Sequence, residues 1–285
     1  MYNLRDGMQM ISRLEGLTAR LARLSDTPAL DAQVLLAHIL DKSRAWVLAH
    51  PEAKLTSGQQ AALGSAVRRL EGGEALPYVL GGWEFFGLEF ILTPDVLIPR
   101  PETELLVEAA LRWLRTHPDR RCAADIGTGS GCIAVSLAVN VPDLHMIATD
   151  ISRTAVNVAR RNAEKFDVTG RMDFFCCDLL PEDMQPLDLV AANLPYIPSK
   201  TLRRLRVHGR EPVLALDGGA DGLDIIRRLM AGAPCCLAPG GLLLVEIEAS
   251  QGAKVLSLAC DAFAEAEIHL RQDLSGRDRL VEVQL

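Results

Sequence analysis

From residue 102 to the end of the chain, short apolar runs alternate with stretches of helical period, and that alternation leaves few folds open. The apolar runs cover 122–126, 144–149, 172–177, 187–192 and 242–247. Helical patterns precede the first (102–116, with Leu105, Leu106, Ala109, Ala110 and Trp113 on one face) and follow it at 132–139 and 153–166. Strands joined through helices cannot pair as hairpins and must cross over, which makes the sheet parallel with helices on both faces. Two further runs, 267–270 and 280–283, are separated only by the turn-like 271–279 and are predicted to pair antiparallel. The expectation is an α/β fold with a seven-stranded, mostly parallel, doubly wound sheet and an antiparallel last strand. No internal repeat or low-complexity segment interrupts it.

The first part of the chain reads differently. Residues 1–75 carry helical periodicity at 30–40 and 56–70, with Thr56 as an N-cap and Gly72-Gly73 as a stop. Residues 76–98 mix aromatics with glycines and are predicted to hold a β-hairpin. The expected organisation is therefore a helical domain over 1–75, a hairpin linker over 76–98 and a catalytic domain over 99–285. With 285 residues, 49% of them hydrophobic, a large and a small core are both affordable in size. A net charge of −7 argues against broad, non-specific nucleic-acid binding, although Arg203, Arg204, Arg206 and Arg210 form a local basic cluster.

Seven cysteines, an odd number without a C-x-x-C pair, predict reduced, buried thiols rather than a disulfide framework. No close Cys/His ligand spacing points to a metal site. The N-terminus lacks a signal-peptide pattern, and no apolar run reaches the roughly 18 residues of a membrane span. A cytoplasmic protein is expected, without a membrane partner.

The chemistry sits where predicted strands end. Asp125-Ile-Gly-Thr-Gly-Ser-Gly131 follows a strand and opens a helix. Its glycines let the backbone turn tightly and approach a ligand, and its spacing differs from the dinucleotide pattern. Asp150 ends the next strand, where a carboxylate can accept from both hydroxyls of a ribose, and Asp178 ends the third, where one can accept from an adenine amino group. These features suit S-adenosylmethionine, with Asp125, Gly127, Thr128, Gly129, Ser130, Gly131, Asp150 and Asp178 as contacts. A nicotinamide dinucleotide would share the glycine turn and the ribose acid, but would not explain the segment after the fourth strand, Asn193-Leu-Pro-Tyr196.

That segment can serve an acceptor –NH2. An amide or aromatic amine is a poor nucleophile because its lone pair is delocalised. Two fixed acceptors that bind both N–H groups localise the pair and aim it. The Asn193 side-chain oxygen and the Leu194 carbonyl can be those acceptors, and Pro195 biases Leu194 toward an extended backbone. Tyr196 can stack on the planar group. Asn193 is expected to touch both the donor and the acceptor.

Asn193-Leu-Pro-Tyr196 resembles the Asn-Pro-Pro-Tyr motif of amino methyltransferases. Leu97-Ile-Pro-Arg-Pro-Glu-Thr-Glu104, the glycine turn, Thr149-Asp-Ile-Ser152, Glu211-Pro212, the glycine-rich 218–224 and Asp273-Leu-Ser-Gly-Arg-Asp-Arg279 narrow the likeness. Together they resemble the protein-(glutamine-N5) methyltransferases that modify peptide chain release factors. The resemblance implies a Rossmann-like class I S-adenosylmethionine-dependent methyltransferase fold. It implies the glutamine of the Gly-Gly-Gln loop in class 1 release factors as acceptor and a helical N-terminal domain that docks the factor. Leu179 would be a wall beside adenine, and Arg100, Glu102 and Thr103 would line the acceptor site. A monomer is expected, without direct nucleic-acid binding. Leu194 departs from the family's Pro and matches the form in ribosomal-RNA adenine dimethyltransferases, so adenine N6 of RNA is the alternative acceptor. A non-catalytic S-adenosylmethionine-binding scaffold is a third reading.

Overall fold

The computed structural model describes residues 9–181 and 185–285, which fall into two compact units, Met1–Gly81 and Gly82–Leu285. The first unit is helical: α1 (Gln9–Leu21), α2 (Pro28–Leu40), α3 (Arg44–Ala49), α4 (Ser57–Glu71) and α5 (Leu76–Leu80). Thr56 caps α4 as the sequence predicts. Its hydroxyl accepts from the Gln59 N–H, and the Gln59 side chain accepts from the Thr56 N–H, so two orphan donors are satisfied reciprocally. The helices close over Leu35, Leu36, Val47, Val67 and Leu70, each worth about 1.5–3 kcal/mol of burial.

The hairpin begins later than the sequence suggests. Pro77 lies in the first turn of α5, where its missing N–H costs nothing, and Gly81 ends that helix in a left-handed conformation. The strands are β1 (Gly82–Phe85) and β2 (Leu88–Ile91), joined through Phe86 and Gly87, both at positive φ as a tight hairpin turn requires.

After the hairpin the second unit runs α6 (Glu104–Thr116), β3 (Cys122–Ile126), α7 (Cys132–Asn140), β4 (His145–Asp150), α8 (Arg153–Lys165), β5 (Met172–Cys176) and β6 (Leu187–Ala192). It continues through α9 (Ser199–Leu202), α10 (Asp224–Gly232), β7 (Leu237–Glu246), α11 (Gly252–Ala262), β8 (Glu267–Gln272) and β9 (Asp278–Gln284). The sheet order is β5-β4-β3-β6-β7-β9-β8, with β9 antiparallel to both neighbours and the rest parallel, as expected. The chain steps outward from β3 to β5, then returns to lay β6 on the other side of β3. That reversal opens a crevice at the carboxyl ends of β3 and β6, the place where such sheets bind ligands.

Three expectations need correction. Helices α10 and α11 are absent from the sequence reading. α10 is short, follows a glycine-rich stretch and has no side-chain cap, yet Ile226, Leu229 and Met230 keep regular helical spacing, so its period was present in the sequence and went unread. β7 starts at Leu237, ahead of the predicted 242, because Pro239 and two glycines mask a strand that is irregular against β6. The thiols are free, but none is fully buried: Cys176, Cys235 and Cys260 are exposed and the other four half-buried. Cys176 and Cys235 sit where an element gives way to a loop, at the end of β5 and in the turn before β7. Among the described residues no helix is long and apolar enough to cross a membrane, and no metal-ligating cluster is present.

Candidate active site

The glycine turn leaves β3 at the crevice, with Gly127, Gly129 and Gly131 all at positive φ. Gly131 is forced by packing, since a Cβ there would lie 3.1 Å from the Ala159 backbone of α8. A Cβ on Gly129 would meet only the Gly127 carbonyl, at 4.0 Å, so the turn presents nearly bare backbone on that side. Asp125 organises the turn from below. Its Oδ2 accepts from the Thr128 hydroxyl at 2.6 Å and from the Ala134 N–H at 3.2 Å, while its Oδ1 is buried without a partner. Burial pushes this carboxyl up to about 7. Ser130 is buried beside it, and its carbonyl accepts from Asn162 at 2.8 Å. Asn162, fully buried on α8, also exchanges two hydrogen bonds with Ile91, binding hairpin, helix and turn together.

Asp150 lies at the end of β4 against this turn. Its Oδ2 accepts from the Gly129 N–H at 2.9 Å and its Oδ1 from the Ser152 N–H at 2.8 Å. Burial raises its pKa although both bonds oppose the shift. Each oxygen retains a lone pair for a further donor. Asp178 behaves differently: it is exposed and ion-paired with Arg228 of α10 at 2.6 Å. Leu179 beside it has a φ of 63°, rare for a branched residue, and is held there by a 2.6 Å bond from the Thr149 hydroxyl to its carbonyl. Its side chain packs against the core under β6 and β7.

Across the crevice, β6 ends in Asn193-Leu-Pro-Tyr196. The Asn193 Nδ2 donates to the Thr103 hydroxyl at 3.0 Å. The Tyr196 carbonyl accepts from the Gln251 side chain at 2.9 Å, and its hydroxyl reaches Glu246 at 3.5 Å. Burial and the nearby Glu246 charge push the phenol up. The glycine-rich stretch after residue 217 packs directly on this loop; a Cβ on Gly222 would lie 2.3 Å from the Tyr196 carbonyl. Leu194 is buried in the core, with its Cδ2 against the glycine turn at Gly127. Arg100 forms a 2.6 Å ion pair with the buried Glu211, whose other oxygen accepts from the Ile98 N–H. That pair ties the segment before α6 to the loop after β6. A cavity of about 160 Å³ opens here, lined among others by Arg100, Asn193, Leu194 and Tyr196.

The fold thus gathers Asp125, the glycine turn and Asp150 on one side of the crevice, and Arg100, Thr103 and Asn193-Leu-Pro-Tyr196 on the other. Glu102 is exposed, and its charge is felt by Glu246, Tyr196 and Arg279. Sequence reasoning assigned no role to Glu211, Gln251, Glu246 or Asn162. Only Glu211 carried a signal, its position before Pro212 in a recognised motif. The others lie in ordinary helix and strand contexts.

Comparisons with known proteins bear on what this arrangement does. Two family models match, one described as the PrmC N-terminal domain over residues 14–81 and one as the methyltransferase small domain over residues 102–207. A release factor glutamine methyltransferase of Coxiella burnetii is 40% identical over 270 residues, covering 94% of this chain and 95% of its own. One from Moorella thermoacetica is 43% identical over 257 residues, covering 89% and 90%. Among solved structures, the hMettl16 catalytic domain in complex with the MAT2A 3'UTR hairpin 6 superposes with a TM-score of 0.54 at 13% identity, covering 80% of this chain and 82% of that one. That last likeness is one of fold alone.

Proposed function

The chain belongs to the release factor glutamine methyltransferase family, and from that premise we propose that it methylates the side-chain nitrogen of a glutamine. The methyl donor is S-adenosylmethionine, and the acceptor glutamine is that of the Gly-Gly-Gln loop in a class 1 peptide chain release factor. The observation that carries this reading is the Asn193 carboxamide, whose Nδ2 donates to the Thr103 hydroxyl, in the loop that lines the cavity beside the glycine turn.

The donor side offers groups that suit adenosylmethionine. The turn shows nearly bare backbone at Gly129, Asp150 keeps an acceptor site on each oxygen, and Asp125 holds a buried oxygen without a partner. Asp125, Gly127, Thr128, Gly129, Ser130, Gly131 and Asp150 would hold the donor, with Leu179 and Asp178 toward its base. Asp178 must exchange Arg228 for the adenine amine or share with it. The donor, when bound, supplies an electrophilic methyl on a sulfonium. The protein's work is to bring the amide nitrogen to it. Asn193 Oδ1 and the Leu194 carbonyl accept the two N–H bonds, Tyr196 packs on the amide plane, and the lone pair points at the methyl. A carbon–nitrogen bond forms, the carbon–sulfur bond breaks, and the nitrogen loses one proton to solvent. Proximity and alignment supply most of the acceleration.

Arg100, Glu102 and Thr103 frame the entry of the glutamine, and the helical unit helps dock the factor. The enzyme acts as a monomer in the cytoplasm on a protein acceptor. Label transfer from S-adenosylmethionine tests this, with unmodified class 1 release factor and unmodified ribosomal RNA offered in parallel and the label mapped by mass. Methyl on the Gly-Gly-Gln glutamine is expected. Label on RNA adenine would replace this reading with the nucleic-acid one, and donor binding with no transfer would leave a scaffold.

A further inference from the structure

We propose that Gln251 is a positioning residue for the acceptor loop: by bonding the Tyr196 carbonyl it fixes where the Leu194 carbonyl and the Tyr196 ring meet the acceptor amide. The inference rests on the methyl-transfer reading above and adds a residue to it.

The acceptor segment needs such a hold. Asn193 to Tyr196 has no regular secondary structure between the end of β6 at Ala192 and the bridge of Ile197 to Asp217. Just past the segment the chain is pinned by two backbone bonds, from the Ile197 N–H to the Leu216 carbonyl at 3.0 Å and from the Gly218 N–H to the Ile197 carbonyl at 2.9 Å. Pro195 has no N–H, so the segment lacks one of the donors by which a loop can be pinned. The carbonyls of Pro195 and Tyr196 are what remains to hold its last peptide planes.

Gln251 takes the second of them. It is 5% exposed and ends the short turn Ala249–Gln251 before α11. Its carboxamide is used at both ends. Oε1 accepts from the Glu248 N–H at 3.2 Å, and Nε2 donates to the Tyr196 carbonyl at 2.9 Å and to the Gly222 carbonyl at 3.2 Å. The amide oxygen only accepts and the NH2 only donates, so these three partners admit one orientation. A carboxylate in its place would set oxygen against two carbonyls, and asparagine would fall one methylene short. The glycines opposite make room. A Cβ on Gly222 would lie 2.7 Å from Gln251 Nε2, and one on Gly218 would lie 2.7 Å from the Pro195 carbonyl.

Chain geometry gives this clamp a task beyond stability. The Leu194 carbonyl lies two peptide planes before the clamped one, and the Pro195 ring fixes one of the torsions between them. The Tyr196 ring springs from the very residue whose carbonyl Gln251 holds. Thr103 already holds the Asn193 carboxamide at 3.0 Å, so the first acceptor is set from the α6 side. The second acceptor and the stacking ring are set from the Gln251 side. Without the Nε2 bonds, β6 and the Thr103 bond stay in place while the planes after Leu194 are free to turn. That misaims the amide lone pair and leaves docking of the factor intact, so the cost falls on rate and not on affinity.

The test is steady-state kinetics on unmodified release factor for the wild type, Gln251→Met and Gln251→Asn. Asp188→Ala, whose lost bonds all lie at the other edge of the sheet, controls for lowered stability. Wild-type turnover, with the label on the glutamine, first checks the parent reading independently. Gln251→Met keeps length and bulk but removes the bonds. It should lose about tenfold in kcat, with KM for the factor and donor affinity by calorimetry each within about threefold. Gln251→Asn should show the same split, because its amide cannot reach both carbonyls. Asp188→Ala should keep its kcat per folded molecule at a comparable loss of stability in denaturant. A kcat within about twofold of wild type in Gln251→Met, a loss that appears in donor affinity instead, or an equal loss of kcat in Asp188→Ala would overturn the proposal. Should Gln251→Met fail to fold, Gln251→Asn decides by the same criteria.

Discussion

The two edges of the central sheet treat their acidic residues in opposite ways. At the amino edge, Asp188 opens β6 with every oxygen engaged. Arg120 donates to Oδ1 at 3.0 Å, and the N–H groups of Arg121 and Cys122 donate to Oδ2 at 2.9 and 3.0 Å. At the carboxyl edge, Asp125 and Glu246 are more deeply buried, yet each keeps an oxygen without a partner. The first arrangement joins strand starts and is complete in itself. The second is incomplete in the isolated chain, and both of its acids are pushed up to about 7 by burial. Incomplete satisfaction gathers where a ligand or a moving proton is to be handled, so a sheet can be read for its working edge by asking where its buried acids lack partners.

The strongest way to break that contrast is at the working edge. Asn193→Ala should lower kcat by a hundredfold or more, about 2.7 kcal/mol, with donor affinity kept within a few-fold. Steady-state rates on release factor and calorimetry with S-adenosylmethionine check it together. An unchanged rate would mean that Asn193 does not receive the acceptor. The opposite pattern is expected at the amino edge. Asp188→Ala leaves two backbone N–H groups and Arg120 without their acceptor, costing about 2–3 kcal/mol of stability by denaturant unfolding. Turnover per folded molecule should not change, and a loss there would dissolve the distinction between the edges.

Asp150 sits between these extremes, since it serves the loop and, on this reading, the donor. Asp150→Ala should weaken S-adenosylmethionine binding by roughly 1.5–3 kcal/mol. Part of that loss comes from freeing the Gly129 and Ser152 N–H groups it now holds. Asp150→Asn keeps one acceptor and should lose less, which separates the two contributions by calorimetry.

How much of this was legible in the sequence follows the range of the interactions. The parallel strands, the glycine turn, Asp150 and the Asn193-to-Tyr196 segment are local signals, each written in consecutive residues at a strand end. The N-cap at Thr56 is local too, and it reads correctly, although its reciprocal bond with Gln59 was not read. What escaped is what distant residues do to one another. Nothing near Glu246 in the chain announces that it will stand beside Asn193, because that follows from the β6–β7 register. The Asn162 clamp on Ile91 and Ser130 spans three elements. Asp178 was read from its place after the third strand, but its ion pair comes from Arg228 on α10, distant in the chain. The cysteines in apolar runs looked buried because hydropathy does not tell a strand's middle from its end.

The contrast also predicts a pH effect on stability. Asp125 and Glu246 have folded-state pKa values raised from 3.8 and 4.5 to about 7, so their contribution is fully present below their unfolded values and lost as pH rises through about 7. Carboxyls held low, such as Asp273 and Asp217, act only at more acid pH and leave the window between about 5 and 8 clear. In that window Tm should fall by a few degrees toward the alkaline side, and Asp125→Asn should flatten the slope. A Tm that rises from pH 5 to 8 would show that these acids find partners in solution.

The smallest effect is expected where the working edge meets the core. Leu194 is 4% exposed and packs its Cδ2 against Gly127, while its carbonyl is the second proposed acceptor. Leu194→Pro keeps that carbonyl and fixes one more φ, but it trims a buried side chain and leaves a small void beside the glycine turn. A stability loss of about 1 kcal/mol is expected, with kcat held within a few-fold. Denaturant unfolding and steady-state rates read the two consequences separately. Should the rate drop tenfold or more while stability holds, the Leu194 side chain, through its contact with the turn, would be what registers acceptor loop against donor loop. The core would then reach into the site, and the boundary between packing and chemistry at this edge would have to be drawn one residue further out.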